Sequence, residues 1–157
     1  MSPKGKQEFK PSIISINSKY GLLSTQWNSF VVDVMLENAE KELILNGVSQ
    51  ANITKIKVPG AYELPLAAKK ILDKDIDVVI ALGAVIKGET PHFNFISSSC
   101  SNGLTQVSLD ANKPVVFGVL TTETEEQAIQ RADPSKGNKG AEVAQSAMEL
   151  LEQFASL

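Results

Sequence analysis

Residues 77–86 read DVVIALGAVI, one acid and then an apolar run that no polar side chain interrupts before Lys87. A stretch of this kind, rich in valine and isoleucine, suits a strand covered on both faces, as in the middle of a parallel sheet. A parallel neighbour cannot be reached by a tight turn, so a crossover helix has to follow. The next residues, KGETPHFNF (87–95), supply its start. Thr90 is placed for an N-cap and Pro91 for the first helical position, and Phe93, Ile96, Cys100, Leu104 and Val107 then recur at helical spacing. His92, the only histidine of the chain, falls in the first turn of that helix.

The same alternation extends in both directions. Downstream, PVVFGVLTT (114–122) reads as a second buried strand. Thr122 with Glu125 matches a capping box for a helix that carries Arg131, and a final helix buries Ala144, Ala147, Met148 and Leu151. Upstream, ITKIKV (53–58) is a strand that PGAYE turns into a helix reaching about Leu72. Before it, Val32, Met35, Leu36, Ala39 and Leu43 form a helical stripe, with Asn28 as N-cap and Gly47 as C′ residue. SIISINS (12–18) and YGLLSTQ (20–26) read as short β-runs after a loose polar tail over residues 1–11. Strands alternating with helices imply an α/β fold, a parallel sheet with helices on both faces and right-handed crossovers. Ligands of such sheets bind beyond the carboxyl ends of the strands. Four such ends carry unusual residues, Trp27-Asn28, Gly60-Ala61-Tyr62-Glu63, Gly83 through His92, and Phe117-Gly118, and are expected to share one edge.

Composition narrows the function. With 157 residues and 43% hydrophobic content, the chain fits one domain, here residues 12–157. A net charge of −3, with acids and bases mixed, lacks the basic footprint of a nucleic-acid binder. The single Cys100 excludes an internal disulfide and suggests a reducing compartment, and no cysteine–histidine cluster has metal-ligand spacing. No apolar run approaches the ~20 residues of a membrane span. The opening MSPKGKQEFKP has no signal-peptide core, so a cytoplasmic protein without membrane contact is expected. Neither a Walker loop nor a dinucleotide fingerprint occurs, which counts against a nucleotide cofactor.

The helix start after GET offers unpaired backbone N–H groups and a positive dipole end, both suited to a phosphate. The same field disfavours an imidazolium, leaving His92 able to accept a proton. Arg131 and Lys139 could add charge around an anion, Trp27 could stack on a planar ring, and Glu63 could accept hydroxyl hydrogen bonds. Each position also fits a plainer role: a turn histidine, solvated basic residues at a helix end, a core tryptophan, or an acid complementing a helix dipole.

Taken together, QWN (26–28), VPGAYELP (58–65), GAVIKGETPHF (83–93), FGVLTTETEEQAIQRA (117–132) and GNKGAE (137–142) resemble the lumazine synthase family over roughly residues 12–155. The resemblance implies a flavodoxin-like three-layer sandwich with a four-stranded parallel sheet, and an N-terminal strand, SIISINS, that pairs with a neighbouring subunit. It implies the penultimate step of riboflavin biosynthesis. In that step 5-amino-6-(ribitylamino)uracil condenses with 3,4-dihydroxy-2-butanone 4-phosphate to 6,7-dimethyl-8-ribityllumazine, phosphate and water, with no cofactor or metal. Carried onto this chain, Trp27 would stack on the pyrimidine, with Asn28 beside it. Ala61, Tyr62 and Glu63 would hold the ribityl chain, and Ala84, Val85 and Ile86 would offer backbone groups to the ring. Glu89 and Thr90 would meet the phosphate and His92 would shuttle protons. Arg131 would reach the phosphate from a neighbouring subunit, Phe117 would complete the aromatic wall, and Lys139 would touch the ring carbonyl. A homopentamer with intersubunit sites is implied, and some members pack twelve pentamers into an icosahedral shell of sixty subunits. The loop from Arg131 to Gly140 lacks the insertion of fungal pentameric members, yet Asp133 and Pro134 replace the usual glycine region. Gln26 stands for an arginine and Trp27 for the commoner phenylalanine. Competing readings are a flavin- or lumazine-binding paralogue without turnover, a riboflavin synthase of the related archaeal type, and a structural shell protein.

Overall fold

The computed structural model describes residues 8–157 and is built on a four-stranded, all-parallel sheet with helices on both faces, the flavodoxin-like α/β arrangement expected. The strands are β1 (Tyr20–Thr25), β2 (Ile53–Val58), β3 (Val78–Ile86) and β4 (Val115–Thr122), in spatial order β2-β1-β3-β4. Residues 77–86 thus supply an interior strand, with Val78 through Ala84 buried. Tyr20 pairs with Ile53 on one side and Val78 on the other, and Val79 pairs with Val115.

The helices are α1 (Ile13–Asn17), α2 (Ser29–Leu45), α3 (Leu64–Leu72), α4 (His92–Ala111), α5 (Glu125–Ala132) and α6 (Lys139–Ala155). The alternation of side chains along each strand sorts the core into two clusters. On one face Val32, Met35, Ala39 and Leu43 of α2 and Met148 of α6 meet Leu22, Ile80 and Leu82. On the other, Leu64, Ala68 and Ile71 of α3 and Cys100 and Leu104 of α4 meet Leu23, Val79 and Ala81. Burial pushes the Cys100 thiol up to about 11, so it serves as a small apolar filler. No helix among the described residues is long and apolar enough to cross a membrane.

Helix ends explain several boundaries. Gly47 lies at C′ with φ +100°; its N–H bonds Ile44 O and the Val48 N–H bonds Leu43 O, both at 3.0 Å, a Schellman end as the glycine predicts. Two caps differ from expectation. Helix α5 starts from Thr124 and Gln127, not Thr122 and Glu125: the Thr124 hydroxyl accepts the Gln127 N–H at 3.2 Å and Gln127 Oε1 accepts the Glu123 N–H at 2.9 Å. TTETEEQ contains both patterns, but Thr122 is still paired with Ile86 in the sheet, so the downstream box is the one left over. Helix α4 takes Pro91 as N-cap in place of Thr90. The first carbonyl the helix uses is that of Pro91, which accepts the Asn94 N–H at 3.0 Å.

Two strand expectations are also corrected. Residues 12–18 contain helix α1, not a strand. Isoleucines favour a strand, but the serines offer the backbone local partners: Ser12 Oγ accepts the Ile14 N–H at 3.2 Å, and Ser18 Oγ donates to Ile14 O at 2.7 Å. A tertiary acceptor completes the turn, because the Glu152 carboxylate of α6 accepts from Ser12 N at 2.8 Å, Ser12 Oγ at 2.5 Å and Ser15 N at 3.1 Å. The buried Tyr20 hydroxyl donates to Ser15 O at 2.7 Å. Strand β4 is not buried throughout. It is an edge strand, and Phe117 and Thr121 remain exposed on it. The tail expected over residues 1–11 lies outside the described residues as far as residue 7; beyond that, Phe9 rests partly buried on the α2/α6 face. The opposite edge, β2, exposes Thr54 through Lys57, and Lys55 and Lys57 reach α2 to pair with Glu40 at 2.9 Å and Asp33 at 2.8 Å.

A Cβ on Gly140 would lie 2.2 Å from the Met35 carbonyl oxygen, so α6 and α2 touch backbone to backbone. Gly140→Ala should therefore cost about 1–3 kcal/mol, reversing the gain of up to about 1 kcal/mol that the same change gives in an open helix; urea unfolding measures the sign. Burial acts to raise the Glu152 carboxyl, but the hydrogen bonds from Ser12 and Ser15 outweigh it and hold the group down at about 2, against an ordinary 4.5. A depressed carboxyl stabilises fully above its unfolded value and loses that contribution as pH falls from about 4.5 through about 2. Glu152→Gln should flatten stability against pH across that window, read by denaturant midpoints at stepped pH.

Candidate active site

The carboxyl ends of β1, β2 and β3 are tied to one another by the residues that leave them. After β1, the Gln26 N–H donates to Val58 O at 2.8 Å and the Trp27 N–H to Pro59 O at 3.1 Å. The Thr25 hydroxyl, itself buried, donates to Trp27 O at 3.2 Å. Asn28 is the N-cap of α2 by position, as expected, but its side chain does not cap. With φ 59° and ψ 39° it turns left-handed, and its Nδ2 donates to Ala84 O on β3 at 2.8 Å. Trp27 is thus fixed along its backbone while its indole stays 73% exposed.

The turn after β2 packs beside it. A Cβ on Gly60 would lie 3.5 Å from Trp27 Cδ1, and the Gly60 N–H donates to Glu63 Oε2 at 2.9 Å. Ala61 is buried and anchors the turn, leaving Tyr62 and Glu63 exposed. From β3, Ala84 is buried and Val85 and Ile86 partly so, one packing on each core cluster. The Lys87 N–H donates to Thr122 O at 2.9 Å, which carries the β3–β4 ladder one step past the end of β3, and its ammonium lies 3.8 Å from Glu123. Glu89 and Thr90 then lead, exposed, to His92 at the first helical position of α4. The 20-residue helix directs its free N–H groups and dipole at this loop, an environment suited to an anion.

The structure therefore brings Trp27, Asn28, Ala61, Tyr62, Glu63, Ala84, Val85, Ile86, Glu89, Thr90 and His92 to the carboxyl edge of the three strands. It does not bring Phe117, Arg131 and Lys139 into that cluster. Phe117 lies in mid-strand opposite Ala81, not at the end of β4, and is 40% exposed. Arg131 is exposed in the last turn of α5, where its guanidinium reaches Gln127 O at 3.5 Å. Lys139 opens α6 and pairs with Glu142 at 2.9 Å. Helices α5 and α6 cover one face of the sheet, whereas α4, which carries His92, covers the other. Among the described residues, no hydrogen bond or ion pair links these three to the strand-end cluster.

Asp133 and Pro134 form a self-bonded turn: Asp133 Oδ1 accepts from Ser135 N at 2.8 Å and Ser135 Oγ at 2.7 Å, and Ser135 holds the carboxyl below the usual range. An apolar groove of about 240 Å³, lined by Phe30, Val34, Ile129 and Pro134 among others, lies between α2 and α5 and contains none of the expected site residues. No group of three or more His, Cys, Asp or Glu among the described residues could hold a metal ion. Sequence reading passed over Thr25; the available signal was a hydroxyl ending a strand whose every residue is buried.

A family model described as 6,7-dimethyl-8-ribityllumazine synthase matches residues 17–155 of the 157-residue chain. The strand-end cluster and Phe117, Arg131 and Lys139 all lie inside the match. Because Trp27 is the only tryptophan and its ring faces water, intrinsic fluorescence should be red-shifted and efficiently quenched by acrylamide. A planar ligand at the strand ends should shield it, and a blue-shifted, quencher-resistant emission from the free protein would contradict this geometry.

Proposed function

We propose, from the premise that the chain belongs to the 6,7-dimethyl-8-ribityllumazine synthase family, transferase enzymes of riboflavin biosynthesis, that it joins 5-amino-6-(ribitylamino)uracil to 3,4-dihydroxy-2-butanone 4-phosphate. The observation that carries the reading to this site is the exposed indole of Trp27, held over the same strand ends that launch the His92 helix. The pyrimidine stacks on Trp27, the ribityl hydroxyls meet Glu63, and the phosphate takes the α4 N-terminus near Glu89 and Thr90.

The primary amine of the pyrimidine attacks the ketone and water leaves, giving an imine. Loss of a proton and departure of phosphate produce an enol. The resulting carbonyl is attacked by the ribityl-bearing nitrogen, and a second water is lost as the ring closes. Each step moves protons, and none requires a covalent bond to the protein. Holding two reactants together is worth roughly 7–11 kcal/mol in favourable cases. Proton transfer by His92 adds about 10²–10⁴-fold.

The site is completed by a second copy of the chain. Arg131, Lys139 and Phe117 are exposed or surface-paired, outside the cluster they are meant to serve. Leu66, Phe95 and Leu109 project from α3 and α4 into solvent, as a subunit contact would require. A homopentamer with sites between adjacent subunits accommodates both observations, and the cytoplasm is the expected compartment.

Lumazine absorbance, followed with both substrates against a no-enzyme control, tests the reaction. The wild type should accelerate product formation with stoichiometric phosphate release. His92→Ala should lose about 10²–10⁴-fold while remaining above background; a fall to background would give His92 a larger share than proton transfer accounts for.

A further inference from the structure

The bond from Asn28 to β3 does work that neither the cap position nor the resemblance assigns. At a helix start an asparagine side chain ordinarily accepts from the second or third helical N–H. Here that role is forgone. The Asn28 carbonyl accepts from Val31 and Val32 N–H, both at 3.0 Å, and opens α2 through the backbone alone. The side chain instead crosses to Ala84 O at 2.8 Å, in a left-handed conformation that asparagine tolerates better than most residues.

The neighbouring residue gives this bond its importance. Trp27 has an exposed ring that packs on little of its own subunit, so the ring's placement depends on its backbone. That backbone is held on three strands: by Pro59 O after β2, by the buried Thr25 hydroxyl of β1, and, one residue on, by Ala84 O of β3. Only the last tie leads to the strand whose end is expected to meet the polar edge of the pyrimidine. We propose that Asn28 is a positioning residue: its amide sets the distance between the Trp27 stacking face and the β3 backbone, and so selects a planar ring that can use both at once. This rests on the reaction proposed above. Aspartate has no amide donor and would set a carboxylate against the carbonyl, and glycine keeps the left-handed backbone but has no side chain to reach with.

The test uses Asn28→Gly and Asn28→Asp in the full-length chain, with steady-state kinetics in each substrate and time-resolved anisotropy of Trp27 in the ligand-free protein. Both variants should raise KM for the ribitylaminouracil about three- to tenfold, the size of one net hydrogen bond, and leave KM for the butanone phosphate unchanged. Both should widen the nanosecond motion of the indole. A folded Asn28→Gly with parental pyrimidine KM and anisotropy would overturn the proposal, because the left-handed backbone alone would then suffice. Equal losses in both KM values with an unchanged anisotropy would also overturn it, reducing Asn28 to a general structural role. A wild type that forms no lumazine defeats the proposed reaction, while the anisotropy arm needs no substrate and still decides whether Asn28 fixes the ring.

Discussion

Strand β3 has water on neither face, and most of the molecule follows from that. An interior parallel strand requires a helix above and a helix below, and each helix must return the chain to the same end of the sheet before the next strand begins. Every strand therefore releases its loop at one edge, and the helix that follows each strand starts from that edge as well. A candidate site at the strand ends comes from the topology, and its particular side chains come from the local sequence.

The core and the site make different demands. In the core, shape dominates: Gly140 admits the Met35 carbonyl, Leu and Val side chains sort by strand alternation, and a buried cysteine acts as a hydrocarbon. At the strand ends, hydrogen bonds dominate. Backbone groups that would fray are tied across strands, by Gln26 to Val58, Trp27 to Pro59 and Lys87 to Thr122. The side chains above them, Trp27, Tyr62, Glu63 and His92, stay exposed because the backbone beneath is already satisfied, with Glu63 spending one oxygen on the Gly60 N–H.

Periodicity carried the architecture well. DVVIALGAVI, the Val32-to-Leu43 stripe and the Gly47 stop all correspond to what forms, because each rests on burial or on a glycine conformation that few residues replace. Failures occurred where two local patterns competed. TTETEEQ holds two overlapping capping boxes, and only sheet pairing decides between them. SIISINS looks extended until Glu152, 140 residues from Ser12 in sequence, supplies the acceptor that makes it a helix. The strand-end half of the candidate site was legible because topology gathers it. Phe117 was read as a strand end but lies in mid-strand opposite Ala81, and Arg131 and Lys139 were read as charges near an anion, yet nothing within one chain draws the three to the rest.

Strand β2 leaves one side of the sheet open, with its hydrogen-bonding edge in water and lysines at positions 55 and 57. In a crowded solution any extended segment could add to this edge. The two ammonium groups, already drawn back onto Glu40 and Asp33, make a chance strand desolvate an ion pair before it can dock. Indiscriminate pairing is thereby discouraged, which gives these two surface ion pairs a purpose in solubility that their small energies would not suggest.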